Sequence, residues 1–351
     1  MILVLSIAAV LWGIGAVMGA PNTARFIMLG ALMAGVLLIQ ITLPVGAPLR
    51  AATGGDVRLW LLILGFVGLV AVYSQILKTL RRRAANSSKP VQPTQNAPTF
   101  SDAELTRYAR HIILREIGGP GQKALKEARV LVIGAGGLGA PALLYLAAAG
   151  VGKIGIVDDD VVDGSNLQRQ IIHTEAQIGQ SKVLSAQSQM RALNQFVDIA
   201  VHATRLDEQS AESLFESYDL ILDGTDNFQT RFMVNRTAAR LGKPLISGAI
   251  TQWEGQISLY DPARGTPCYE CVFPEEPAPG LAPSCAEAGV VGPLPGVMGS
   301  MMALEAIKAL TGAGETLKNR LMIFDALYAD TRIVKIAPRE NCPVCSALQS
   351  E

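Results

Sequence analysis

The stretch Arg129-Val-Leu-Val-Ile133-Gly134-Ala-Gly136-Gly137-Leu-Gly139 decides the fold. Its first five residues form a short apolar run of the kind that becomes a buried strand, and a glycine-rich turn follows at once. From Gly139 to Ala149 the chain is rich in Ala and Leu, which predicts a helix. Strand, glycine turn and helix in this order open a Rossmann-like α/β fold with a mainly parallel sheet. Gly134 permits the tight turn, Gly136 with Gly137 beside it lets the backbone approach a phosphate, and Gly139 permits close packing of helix on strand. A second strand over Lys153 to Val157 ends in Asp158, the position from which a carboxylate accepts hydrogen bonds from a ribose. The glycine pattern by itself suits a dinucleotide dehydrogenase equally well.

The residues downstream favour a triphosphate. Asn166, Arg169, Gln170 and Lys182 bring amide, guanidinium and ammonium donors together after the acidic strand end, a set that a nicotinamide site does not need. Asp219 to Asp223 reads as a further strand that runs into Gly-Thr-Asp226-Asn227, where Asp226 is placed to hold Mg²⁺ beside phosphates. A cap on the helix that begins at Phe228 is the competing role for Asp226. Arg231 and Asn235, one helical turn apart, are placed to assist the site or to face solvent. His111, His173 and His202 have no ligand-like spacing and read as non-catalytic.

Five cysteines divide into Cys268-x-x-Cys271, Cys342-x-x-Cys345 and a lone Cys285. Paired knuckles of this spacing predict a tetrahedral, structural Zn²⁺ site that fastens the C-terminal part of the domain to the residues around Cys268. Redox pairs or disulfides are the alternative, disfavoured where cytoplasmic thiols stay reduced.

Working outward to the N-terminus, Ser101 to Glu104 form an S-x-x-E capping box, so a folded domain is expected over 101–351. Residues 84–100 contain three prolines and little apolar periodicity, which predicts a flexible linker. Residues 1–83 hold apolar runs at about 1–20, 26–43 and 59–77, each long enough for a transmembrane helix of about 30 Å. The first run also resembles a signal peptide but lacks the basic flank. Lys78, Arg81, Arg82 and Arg83 follow the third run and predict that the rest of the chain is cytoplasmic, with the protein a multi-pass component of the inner (cell) membrane.

Composition agrees with this division. The 30 Lys+Arg and 30 Asp+Glu of the 351 residues cancel, but residues 1–100 carry eight basic residues and one Asp, net +7, leaving net −7 for the remainder. Zero overall charge excludes a globally basic nucleic-acid binder, and an apolar content of 50% excludes a disordered chain.

Arg107 and Arg110, GAGGLG, Asp158 to Asp160, SNLQRQ, Gln180-Ser-Lys182, GTDN and the two CxxC pairs occur in the order found in the MoeB/ThiF/HesA adenylyltransferases. From Ser101 to Ser346 the chain resembles this family of bacterial relatives of ubiquitin-activating enzymes, and most of all its molybdopterin-synthase branch. The resemblance implies that Asp158 binds ribose, that Arg169 and Lys182 bind phosphates, and that Asn166 and Gln170 shape an ATP pocket completed by Asn227. It further implies that Asp226 binds Mg²⁺ and that Arg110 reaches into the ATP site of a partner subunit in a homodimer. Cys285 aligns with a cysteine that some members use for a thioester or persulfide. The implied reaction is ATP-dependent adenylation of the C-terminal glycine of a small ubiquitin-like sulfur-carrier protein, with loss of pyrophosphate. The carrier of molybdenum cofactor biosynthesis is the first expectation. The thiamine-pathway carrier and a non-catalytic, membrane-anchored nucleotide-binding module are the alternatives.

Overall fold

The computed structural model describes residues 2–75, apart from 20, 45, 55, 59, 64, 67, 71 and 74, together with residues 99–278 and 288–349. The chain divides into two units, residues 1–97 and 98–351.

In the N-terminal unit α1 spans Ile2–Val17, α2 Asn22–Thr42 and α3 Pro48–Ala52. Among the described residues one helix is long and apolar enough to cross a membrane, Thr23–Thr42 within α2, with mean hydropathy 2.0. The apolar stretch Leu3–Val17 is shorter. Of the expected third span, a shorter apolar helix over Trp60–Val70 is described, whereas the expected linker lies largely outside the described residues and Lys78, Arg81, Arg82 and Arg83 wholly so. Arg25, which falls between the first two apolar runs of the sequence, lies inside α2, where its guanidinium stacks 5.7 Å above the ring of Trp12. Trp60 is fully buried with Val4 and Val36. Its indole N–H donates to the Thr53 carbonyl (3.0 Å), and the amide of Gln40 donates to the Thr53 hydroxyl (2.8 Å). These bonds satisfy the Trp60 indole and the Gln40 amide nitrogen inside this apolar unit, whereas Gln40 Oε1 is buried without a partner among the described residues.

The C-terminal unit begins with α4, Asp102–Ile112, whose capping box forms as expected: Glu104 N–H donates to Ser101 Oγ and Ser101 N–H to Glu104 Oε2 (2.9 Å). Tyr108 docks this helix on Gly150, where a Cβ would come within 2.4 Å of the ring. Helix α5 (Gly118–Glu127) leads into β1 (Arg129–Ile133), and α6 (Gly139–Ala149), β2 (Lys153–Val157), α7 (Lys182–Leu193) and β3 (Asp198–His202) follow. Next come α8 (Glu208–Glu216), β4 (Leu220–Asp223), α9 (Phe228–Arg240), β5 (Leu245–Thr251), β6 (Glu254–Tyr260), α10 (Tyr269–Val272), α11 (Pro293–Thr311), β7 (Arg320–Asp325) and β8 (Asp330–Lys335).

The strands form one sheet in the order β3-β2-β1-β4-β5-β6-β7-β8. The five from β3 to β5 are parallel, and β6, β7 and β8 join antiparallel. Successive residues of β1 point to opposite faces: Val130 and Val132 enter the core formed with α6, α7 and α11, whereas Leu131 and Ile133 enter the one formed with α8 and α9. Both faces are covered, which is why β1 has no polar alternation. The chain runs outward through β2 and β3, then returns to the other side of β1 at β4, so a crevice opens at the carboxyl ends of β1 and β4.

Candidate active site

The turn after β1 is set by its glycines. Gly134 has φ +92°, a conformation closed to most side chains, and a Cβ on Gly139 would lie 1.8 Å from the Gly134 carbonyl oxygen. A Cβ on Gly136 would meet only the Gln170 amide, at 3.6 Å, so this face of the turn is open to a ligand. Gly137 serves packing as well, since a Cβ there would press to 3.0 Å from Pro295 in α11.

Ala135, in the middle of the turn, has both backbone polar groups held by side chains. Its N–H donates to Asp158 Oδ2 (2.7 Å), and its carbonyl lies 2.9 Å from Nε2 of buried His173. Burial pushes His173 below the ordinary histidine range, so the ring is neutral and donates Nε2–H to that carbonyl. His173 therefore shapes the glycine turn, a role for which it has no spacing signal in the sequence.

The segment after β2 is closed by a short stem. Val162 N–H donates to the Gln180 carbonyl and Lys182 N–H to the Asp160 carbonyl (2.8 and 3.0 Å). At its base Lys182 Nζ, almost buried, pairs with Asp160 Oδ2 at 2.7 Å. The excursion carries Asn166, whose Oδ1 accepts from Arg169 Nη2 (3.1 Å) and Gln170 Nε2 (3.0 Å). Arg169 and Gln170 line the cavity, whereas Asn166 stands behind them. Gln170 is 4% exposed, and its Oε1 is a buried acceptor without a partner among the described residues.

On the β4 side Asn227, rather than Asp226, caps α9, its Oδ1 accepting from Thr230 N–H (2.8 Å). Asp226 is left exposed, without a hydrogen bond or ion pair among the described residues, and lines the cavity. Arg231 and Asn235 are both buried. Asn235 Oδ1 accepts from Tyr269 N–H (2.9 Å), and neighbouring Arg236 pairs with Glu270 (2.8 Å). These bonds tie α9 to the first cysteine knuckle. Tyr269, between Cys268 and Cys271, forms part of the cavity wall.

These groups converge on a cavity of 580 Å³, within the roughly 300–1,000 Å³ of small-ligand sites. Gly134, Gly136, Gly137, Asp158, Arg169, Gln170, Lys182, Asp226 and Asn227 all line it. Its charge is mixed: Arg169, Lys182, Arg205 and Arg231 face Asp158, Asp159, Asp160 and Asp226. Of these cations Lys182 is held by an acid at the end of β2, Asp160, whereas Arg169 is held by Asn166 and the Ser165 carbonyl. Arg110 is exposed on α4 and does not line this cavity. Cys285 lies outside the described residues.

The four remaining cysteines meet as their spacing predicts. Sulfur separations are 3.9 Å for Cys268–Cys271, 3.5 Å for Cys268–Cys342 and 3.4 Å for Cys271–Cys345. A tetrahedron with Zn–S bonds of about 2.3 Å has edges near 3.8 Å, so the thiols fit Zn²⁺ with no open position. Burial raises the Cys268 thiol and lifts Cys345 to about 12. At Cys342 burial is outweighed by hydrogen bonds from the N–H groups of Val344 and Cys345 and from the Cys268 thiol, which bring it down to about 7.

Fold and site together define a nucleotide-binding α/β domain with a phosphate-type glycine turn, a free carboxylate at the crevice and a thiol cluster fastening its C-terminal end. The ThiF family model matches residues 108–344, and the chain belongs to that family. It is 51% identical over 255 residues to a Mycobacterium tuberculosis protein named "Probable adenylyltransferase/sulfurtransferase MoeZ", covering 72% of this chain and 65% of that one. It is 48% identical over 250 residues to the "Sulfur carrier protein adenylyltransferase" of Thermus thermophilus, covering 70% of this chain and 92% of that one. The chain thus spans slightly less than two thirds of the mycobacterial relative. Among solved structures, E. coli MccB with AMPCPP and MccA superposes with TM-score 0.59 at 23% identity, over 68% of this chain and 74% of that one. PaaA gives TM-score 0.60 at 20% identity over 84% and 91%. At these identities the likeness is one of fold.

Proposed function

We propose that the chain adenylates the C-terminal glycine of a small ubiquitin-like sulfur-carrier protein, that of molybdopterin synthesis in the first place. The observation that carries this reading is the unpartnered Asp226 carboxylate facing Arg169, Lys182 and an open glycine turn across one cavity. The names of the mycobacterial and Thermus relatives support it.

The reaction requires a carboxylate to attack the α-phosphorus of ATP while pyrophosphate leaves. A carboxylate is already a nucleophile, so alignment and charge neutralisation suffice and no triad is needed. The open face at Gly136 receives phosphate oxygens, and Arg169 and Lys182 neutralise charge on the phosphates. Asp158 lies at the ribose position while holding the turn through Ala135. The ligands of Mg²⁺ would include Asp226, and the metal, when bound, supplies further neutralisation of the triphosphate. The four thiols would hold Zn²⁺, whose contribution is structural.

Arg110 acts in trans in this account, in a homodimer. Its exposure and lack of a partner among the described residues support the role, as do the exposed Ile113 and Leu114 beside it. The N-terminal unit serves as a three-span anchor with the catalytic unit on the cytoplasmic side. The apolar α2 and the basic cluster at Lys78 to Arg83 support that placement. Detergent-solubilised full chain should catalyse ATP–pyrophosphate exchange only with its cognate carrier when candidate carriers ending in glycine are compared. Asp226→Ala abolishes that exchange in this account, and near-normal exchange by the variant would remove Asp226 from the mechanism.

A further inference from the structure

Arg231, in the first turn of α9, is 5% exposed. Its Nη2 donates to the carbonyls of Thr225 and Gly248, the latter at 2.8 Å, and Nη1 lies 3.5 Å from Ser247 Oγ. The Ser247 hydroxyl in turn donates to Oδ2 of Asp223 (3.2 Å), which is 1% exposed. The other carboxylate oxygen of Asp223 accepts both the N–H and the hydroxyl of Thr225, at 3.0 and 2.7 Å. All three polar groups of Thr225 are therefore held by two buried charged side chains. The next residue, Asp226, leaves this clamp into the cavity with its own carboxylate unattached.

A buried guanidinium that donates to neutral carbonyls and meets a carboxylate only through a serine is expensive to maintain. What the arrangement secures is direction, because a planar fork joins the loop after β4 to β5 at a fixed spacing. The geometry points to Arg231 as a positioning residue that, through Thr225, aims Asp226 at the metal ion of a metal–ATP complex. This rests on the role proposed above for Asp226. Methionine has similar bulk but no donors, and lysine keeps the charge without the rigid fork.

The test uses full chain in detergent, with Mn²⁺ in place of Mg²⁺ and bound Mn²⁺ read by electron paramagnetic resonance with ATP and no carrier. The unaltered chain binds Mn²⁺·ATP. Arg231→Met weakens Mn²⁺ binding in that complex by about 10-fold to 100-fold, the usual effect of losing a group that orients a metal ligand. Metal-free ATP affinity, which reads the direct effect of removing the Arg231 charge from the cavity wall, falls by less than Mn²⁺ binding does. On the same principle Asp226→Asn and the double variant bind Mn²⁺ equally weakly. Binding by Arg231→Met as tight as that of the unaltered chain, or independent effects of the two substitutions, overturns the clamp alone. Absence of Mn²⁺·ATP binding by the unaltered chain overturns the proposed function and the clamp with it. Should Arg231→Met not fold, as judged by circular dichroism, Arg231→Lys carries the test in the exchange reaction. It should show a lowered kcat at unchanged ATP KM, restored by raised Mg²⁺, and a loss that Mg²⁺ does not restore is the contrary result.

Discussion

Replacing Asn166 by Ala takes no atom from the cavity wall, yet it should weaken ATP binding substantially. In the structure its Oδ1 holds Arg169 Nη2 at 3.1 Å and Gln170 Nε2 at 3.0 Å, and both of those side chains line the cavity. Without Asn166, Gln170 loses this hold and Arg169 keeps only its bond to the Ser165 carbonyl (3.2 Å), so each must be immobilised further when ATP arrives, at about 0.5–1.5 kcal/mol per side chain. The two together come to about 2 kcal/mol, or roughly 30-fold in Kd. Calorimetric titration of full chain with ATP measures this directly, with Arg169→Ala for comparison. In an Arg169→Ala background only the Gln170 share is left, so Asn166→Ala should then cost only about fivefold. An Asn166→Ala Kd within about twofold of the unaltered value, alongside a clear loss in Arg169→Ala, would refute preorganisation as its role.

Metal analysis should find about one zinc per chain and none in Cys342→Ser, because four closed thiolates leave no replacement ligand; folded, zinc-free unaltered protein would contradict this. Gly139→Ala should destabilise the domain by about 3 kcal/mol or more, since its Cβ would sit 1.8 Å from the Gly134 carbonyl oxygen and both atoms belong to backbone; an unchanged thermal midpoint is the contrary outcome. Burial lowers His173 and His202 below the unfolded histidine value, so the native state takes up fewer protons than the unfolded one. Stability from these residues is present above about pH 6.5 and is lost as pH falls below it. Thermal midpoints measured downward from about pH 7.5 should fall more steeply for the unaltered chain than for His173→Gln, and parallel curves would show that His173 does not contribute.

Much of this architecture is local and therefore legible in the sequence. Arg129 to Gly139 spell out strand, turn and helix, Ser101 and Glu104 spell out a cap, and the cysteine spacing spells out the thiol cluster. What is not legible depends on contacts between distant segments. His173 has no motif, and its role exists because it reaches the Ala135 carbonyl 38 residues away. Arg231 and Asn235 read as readily as surface residues of a helix, until β5 and the knuckle at Tyr269 cover them. Asp226 and Asn227 both suit a helix cap, and only the backbone decides that Asn227 takes it and leaves Asp226 to the cavity. The antiparallel β6–β8 extension is likewise invisible to the glycine motif, which specifies only the parallel half of the sheet.

Attack on the α-phosphorus of ATP by a carrier's terminal carboxylate fixes where each phosphate of ATP must go. Incubation of full chain and cognate carrier with ATP radiolabelled at the α-phosphorus, and separately at the γ-phosphorus, follows both. α-Label should appear on the carrier as a bound adenylate while γ-label leaves as pyrophosphate. Label from the γ-position on the carrier, or release of ADP, would contradict it.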